Sequence, residues 1–225
     1  MRYAVTDPYV LPDGLPRPRL RGLLHLGAFA VALALGVTLV LLAGPQEGPA
    51  FAVYGLAVAG LFGVSALYHR GRWQPIVRAR LQRVDHSMIF VLIAGTYTPI
   101  CVHVLDGGLG APLLAVVWGG ALVGAVLELR PTPTPRGVGI ALYIALGWVA
   151  LLAMPPVVDE LGWVATALLA LGGVLYTVGA VIYARRRPDP RPAVFGYHEL
   201  FHALTIAAAA FHYAVIAFWV LPLTH

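Results

Sequence analysis

Seven apolar runs, each of roughly 17 to 25 residues and so able to cross about 30 Å of hydrocarbon, constrain this chain more than any other feature. They lie near 23–43, 50–69, 85–105, 112–129, 138–154, 161–184 and 197–221, with short linkers rich in Gly, Pro and charge between them. The predicted fold is therefore all-α: a polytopic seven-helix bundle, with one transmembrane domain over 23–222 behind a cytoplasmic N-terminal segment, 1–22. Composition agrees. The 225 residues are 60% hydrophobic and only 11% charged, against about 25% charged in a soluble domain. The mean hydropathy is +0.81. The first run is too long for a signal-peptide core and is read as a retained span. Cys101 stands alone, which excludes an internal disulfide.

Orientation follows from the arginines. Arg2, Arg17, Arg19 and Arg21 precede the first run, and Arg70, Arg72, Arg78, Arg80 and Arg83 follow the second. Arg130 and Arg136 follow the fourth, and Arg185, Arg186, Arg187 and Arg191 the sixth; these account for all 15 basic residues. By the positive-inside rule the N-terminus is cytoplasmic and the C-terminus outside. The sequence pI of about 9.7 would suit nucleic acid, but arginines segregated in this way are topological signals and argue against that partner. The absence of lysine, with abundant Ala, Arg and Gly, is the composition of a high-GC bacterial gene, so the expected location is the bacterial inner membrane.

Chemistry concentrates at the start of the last run, where His198-Glu199-Leu200-Phe201-His202 reads H-E-x-x-H. On a helix the two imidazoles stack on one face, about 6 Å apart along the axis. That pattern is the zinc-ligand pair of metalloproteases, with the Glu as general base. A catalytic zinc site needs a third ligand, and the topology supplies one. His69 ends the second run and Asp85 begins the third, both at the cytoplasmic boundary that His198 and His202 occupy. His69 is thus the expected third metal ligand and Asp85 the acid beside the metal. Ser65, one turn deeper on the face of His69, can support a ligand or a water. Glu199 sits about 100° around the helix from His198. It is either the general base of a zincin-type site or an interfacial carboxylate facing the arginine-rich loop. Among the remaining polar residues, His25 and His103 read as interfacial, Glu128 as a partner of Arg130, and His212 as a packing or hydrogen-bonding residue between helices. Pro99 is expected to kink the third span.

Taken together, Ser65-Ala-Leu-Tyr-His69, Asp85-His86-Ser87-Met88-Ile89-Phe90, Gly95-Thr96-Tyr97-Thr98-Pro99 and His198-Glu199-Leu200-Phe201-His202 resemble the bacterial hemolysin III family. That family is similar to the adiponectin and progestin receptor group and, more remotely, to the alkaline ceramidases. The resemblance runs from about Leu20 to Leu221. It implies a seven-helix bundle with a zinc ion near the cytoplasmic face, held by His69, His198 and His202. Asp85 would orient or deprotonate the metal-bound water, with Ser65 behind it. The expected function is that of an integral membrane zinc-dependent hydrolase acting on a lipid amide, ceramidase-like, with a membrane lipid as substrate. The alternatives are a membrane-embedded metalloprotease, a non-catalytic receptor or sensor, and a hemolysin-type cytolysin.

Overall fold

The computed structural model describes residues 18–105, 108–132 and 135–224, so Arg2, Arg17 and most of the 1–22 segment lie outside the described residues. The elements are α1 (Leu23–Arg70), α2 (Pro75–His103), α3 (Gly110–Leu129), α4 (Arg136–Trp148), a 3-10 turn (Val149–Ala153), α5 (Met154–Arg185) and α6 (Tyr197–Val215). Among the described residues, five stretches are long and apolar enough to cross a membrane: α1, α2, α3, the 49 residues Gly137–Arg185, and Tyr197–Thr224. Among the described residues no strand forms; Arg191 and Phe195 make a single bridge.

Two of these stretches are about twice as long as a bilayer needs, and each is broken once by a glycine. Gly44 has φ 74 and ψ −177 inside α1, and Gly162 has φ 77 and ψ 170 inside α5. Both dihedral pairs are open to glycine and strained for any residue with a Cβ. Pro45 follows Gly44 and disfavours helical dihedrals at the preceding residue. The two halves of α1 then lie against each other, because a Cβ built on Gly36 would sit 3.1 Å from the Gly55 Cα. Likewise Trp148 Nε1 donates to Thr177 Oγ1 at 3.0 Å across the Gly162 break. The 44–49 linker read from the sequence is therefore helical apart from its single bent residue. The second linker is also shorter than expected, because α2 begins at Pro75, a residue suited to the first helical turn. Asp85 consequently lies inside a helix instead of at its start. The arginines that suggest a loop in the sequence, Arg78, Arg80 and Arg83, lie on the first turns of α2. Pro99 sits within α2, and the helix continues through it.

α2 packs most extensively on α1 and α3, and α5 on α6. Phe51, Tyr54, Phe90, Val117, Ala165 and Val215 are among the fully buried side chains that join these elements. The outer face is the reverse of a soluble protein's. Leu41 is 75% exposed, Leu152 72% and Trp163 77%, and so broad an apolar surface marks a membrane-facing wall.

If the halves of α1 pack as described, Gly55→Leu should destabilise the protein in detergent by about 1–3 kcal/mol through overpacking. Gly27→Leu, where a Cβ meets nothing within 4 Å, should change it by less than about 0.5 kcal/mol. Equal effects in unfolding measurements would contradict the packing.

Candidate metal centre

α1 ends and α6 begins at the same end of the bundle. The last two residues of α1 are His69 and Arg70, while Tyr197 and His198 open α6. The helical period carries His202 to the face of His198. One nitrogen from each of His69, His198 and His202 can be chosen so that all three lie within 4.8 Å of one another. His69 and His202 are buried and His198 is half-buried. The Nε2 atoms of His69 and His198 are 3.1 Å apart. Nitrogens about 2.0–2.1 Å from a tetrahedral ion are about 3.3 Å from each other, so the side chains present fit a metal ion without rearrangement of that pair. The donor set of three imidazoles suits zinc and other late first-row metals.

Asp85, from α2, places Oδ2 3.9 Å from His69 Nε2 and is 13% exposed. Ser65, one turn before His69 and buried, is within hydrogen-bonding reach of the Asp85 carboxyl. The structure thus brings Ser65, His69, Asp85, His198 and His202 into one cluster from three helices.

Glu199 points elsewhere. Its Oε2 accepts a hydrogen bond from the Gly196 N–H at 2.9 Å, closing a box at the α6 N-terminus. Its Oε1 accepts from Arg21 Nε in a pair that is 10% exposed on the arginine and 1% on the carboxylate. Arg21, by position a topological charge, and His25, by position an interfacial imidazole, are therefore both part of the site. His25 is buried and stacks on His202, with ring centroids 3.7 Å apart and planes 6° from parallel. Its depth, level with the other histidines in the predicted topology, was the available signal. Glu128, expected to pair with Arg130, instead meets His86 Nδ1 at 3.5 Å. His103 meets Glu47 at 3.4 Å. His212 makes its interhelical contact through Nε2 to the Leu169 carbonyl at 3.1 Å.

A cavity of about 490 Å³ opens from this cluster. His25, Ser65, Asp85, His198 and His202 line one end, while Leu92, Ile93, Ile100, Leu105 and Leu113 continue its wall. Along α2 the lining reaches from Ala79 to Cys101, about 33 Å of helix. Such a chamber joins a compact polar head to a long apolar channel.

Residues 14–213 match the family model described as haemolysin-III related. The chain is similar to Hemolysin-3 of Bacillus cereus, 33% identical over 173 residues that make up 77% of this chain and 76% of that one. It is similar to the Hemolysin-3 homolog of Bacillus subtilis (strain 168), 31% identical over 169 residues, 75% of this chain and 76% of that one. More distantly, it is similar to the Adiponectin receptor protein of Drosophila melanogaster, 25% identical over 214 residues, 80% of this chain and 46% of that one.

The geometry predicts one bound metal ion per chain in protein purified without chelator, and loss of most of it in His202→Ala. Elemental analysis of both, with His103→Ala, whose ring meets Glu47, as a control outside the cluster, checks this; stoichiometric metal retained in His202→Ala would remove that residue from the ligand set.

Proposed function

This chain belongs to the haemolysin-III related family, and on that footing we propose that it is a zinc-dependent hydrolase of a membrane lipid amide. The reading places it in the bacterial plasma membrane, crossing seven times with the N-terminus inside. Seven crossings are supported by the breaks at Gly44 and Gly162, which divide the two double-length stretches into halves. The orientation is supported by the arginines, which the described loops carry at the end of the bundle where His69 and His198 lie. The observation that carries the catalytic reading is the position of three imidazoles and one carboxylate at the head of an apolar cavity.

Zinc at His69, His198 and His202 would supply a Lewis acid and lower the pKa of a water molecule. Asp85 accepts a proton at its carboxylate as the water oxygen bonds to the amide carbonyl carbon. The same carboxyl returns that proton to the nitrogen as the C–N bond breaks, leaving a carboxylic acid and an amine. Ser65 holds the Asp85 carboxyl in place. The apolar channel takes the acyl chain and keeps bulk water from the reacting carbonyl. Glu199, committed to Gly196 and Arg21, holds the helix start and is not the base, which argues against the metalloprotease alternative. A receptor-like, non-catalytic use of the same site is the second reading, supported by the similarity to a protein named as an adiponectin receptor.

With a long-chain N-acyl amine in detergent and saturating zinc, Asp85→Asn should lower kcat by about 10²–10⁴-fold, the usual contribution of a general base. Glu199→Gln should cost less than about ten-fold under the same conditions. The reverse order favours a zincin-type protease. No turnover by a zinc-loaded wild type favours the receptor reading. A periplasm-dependent reporter such as alkaline phosphatase should be active when fused after Leu223 and inactive when fused after Arg187; equal activity at both points would contradict the seven-span topology.

A further inference from the structure

The short stretch that leads into α1 touches the imidazole cluster at three separate points. Arg21 pairs through Nε with Glu199, which lies between His198 and His202 in the sequence and caps their helix. Gly22 has φ +76, and a Cβ on it would lie 2.7 Å from the Cβ of His69. His25, one turn later, stacks face to face on His202. The same stretch is tied to the loop before α6 by two backbone hydrogen bonds. The Arg19 N–H reaches the Ala193 carbonyl at 3.1 Å, and the Leu20 N–H the Val194 carbonyl at 3.2 Å.

A topological signal does not require these contacts. An arginine that only marks the inner face keeps its head among water and phosphates, whereas Arg21 and Glu199 are withdrawn from solvent together. A buried ion pair is weak evidence for stability, because desolvation offsets its attraction. Its geometric demand is nonetheless strong, since both groups must be met by specific partners. Here the demand falls on the first turn of α6, which carries His198. Apart from a loose contact with the His202 backbone, neither ring nitrogen of His25 has a hydrogen-bond partner. The stack therefore acts through the ring face, fixing the plane of the His202 imidazole.

We infer that residues 19–25 form a strap that positions the three metal-binding imidazoles, with Arg21 as its lock. Arg21, Gly22 and His25 are positioning residues: each acts through Glu199, His69 or His202, and none offers a ligand atom to the cluster. The inference rests on the reading that this cluster holds zinc. It goes further in making the affinity of the site depend on a segment that the H-E-x-x-H pattern does not include.

The test is zinc affinity of the full chain in detergent, measured with the metal alone by competition against a chromogenic chelator. Residues that orient metal ligands typically contribute 10–100-fold in affinity, so Arg21→Ala should weaken zinc binding by about that factor. Arg21→Lys, which keeps the charge without the planar fork, should fall between. The double variant Arg21→Ala/Glu199→Gln should bind zinc more tightly than the product of the single effects allows, because no unpaired carboxylate is left buried. His25→Ala should weaken binding, and His25→Phe, which restores a ring face, should recover most of the loss. Should Arg21→Ala fail to fold, Glu199→Gln keeps an oxygen for the Gly196 N–H and carries the same comparison. A wild type that binds zinc alongside Arg21→Ala and Glu199→Gln proteins of unchanged affinity overturns the strap alone. A wild type that binds no zinc overturns the metal reading and the strap's role with it.

Discussion

Ionisable side chains inside an apolar bundle are costly unless each is answered by a partner, and the end of the bundle where α1 meets α6 is arranged around that constraint. Glu199 is answered by Arg21 and by the Gly196 N–H. Asp85 is answered by Ser65 and lies close to His69, which in turn meets His198. His86 meets Glu128. These pairings leave little freedom in how α1, α2 and α6 can be set against one another. Removing one member of a buried charged pair typically costs about 3–5 kcal/mol, far more than an exposed pair is worth. The glycine bends at Gly44 and Gly162 serve the same end. By folding two double-length stretches back, they let a helix that starts beside the cluster return to it, as α1 does from His25 to His69.

The two ends of the cavity have different physical characters. Around the imidazoles the wall can bind a metal ion, polarise a carbonyl and hold a proton. Further along, Leu92, Ile93, Ile100 and Leu113 offer only apolar contact. On the proposed hydrolase reading, a substrate that matches both carries a compact reactive polar group on a long hydrocarbon tail. On that same reading the membrane-facing wall and the cavity lining act together: apolar surface outside suits the bilayer, and apolar surface inside would receive a molecule drawn from it.

Much of this was legible in the chain, and the parts that were not share a cause. His198 and His202 follow from the helical period alone, and His69 from connectivity, because alternating topology fixes which run ends share a level. The lipid-spanning class followed from apolar length. The continuity of α1 through Gly44 was hidden, since Gly and Pro in a polar stretch signal a break, and a single bent residue proved enough to turn the chain. The early start of α2 was hidden by its arginines, which lie on helical turns there and not in a loop. The roles of Arg21 and Glu199 were hidden most deeply. They are 178 positions apart, and no local pattern distinguishes an arginine that marks the inner face from one that reaches inward to a carboxylate. Glu199 shows what a motif leaves out: the letters of a zincin are present, and the acid is engaged by the Gly196 N–H and Arg21.

The central claim is that three imidazoles from α1 and α6 hold one metal ion at the head of a lipid-sized cavity. X-ray absorption at the zinc edge on the purified, zinc-loaded protein tests it most directly. The account predicts a four-coordinate ion with three imidazole nitrogens at about 2.0–2.1 Å and one further light-atom neighbour, without sulfur. A first shell containing one imidazole or none would contradict it.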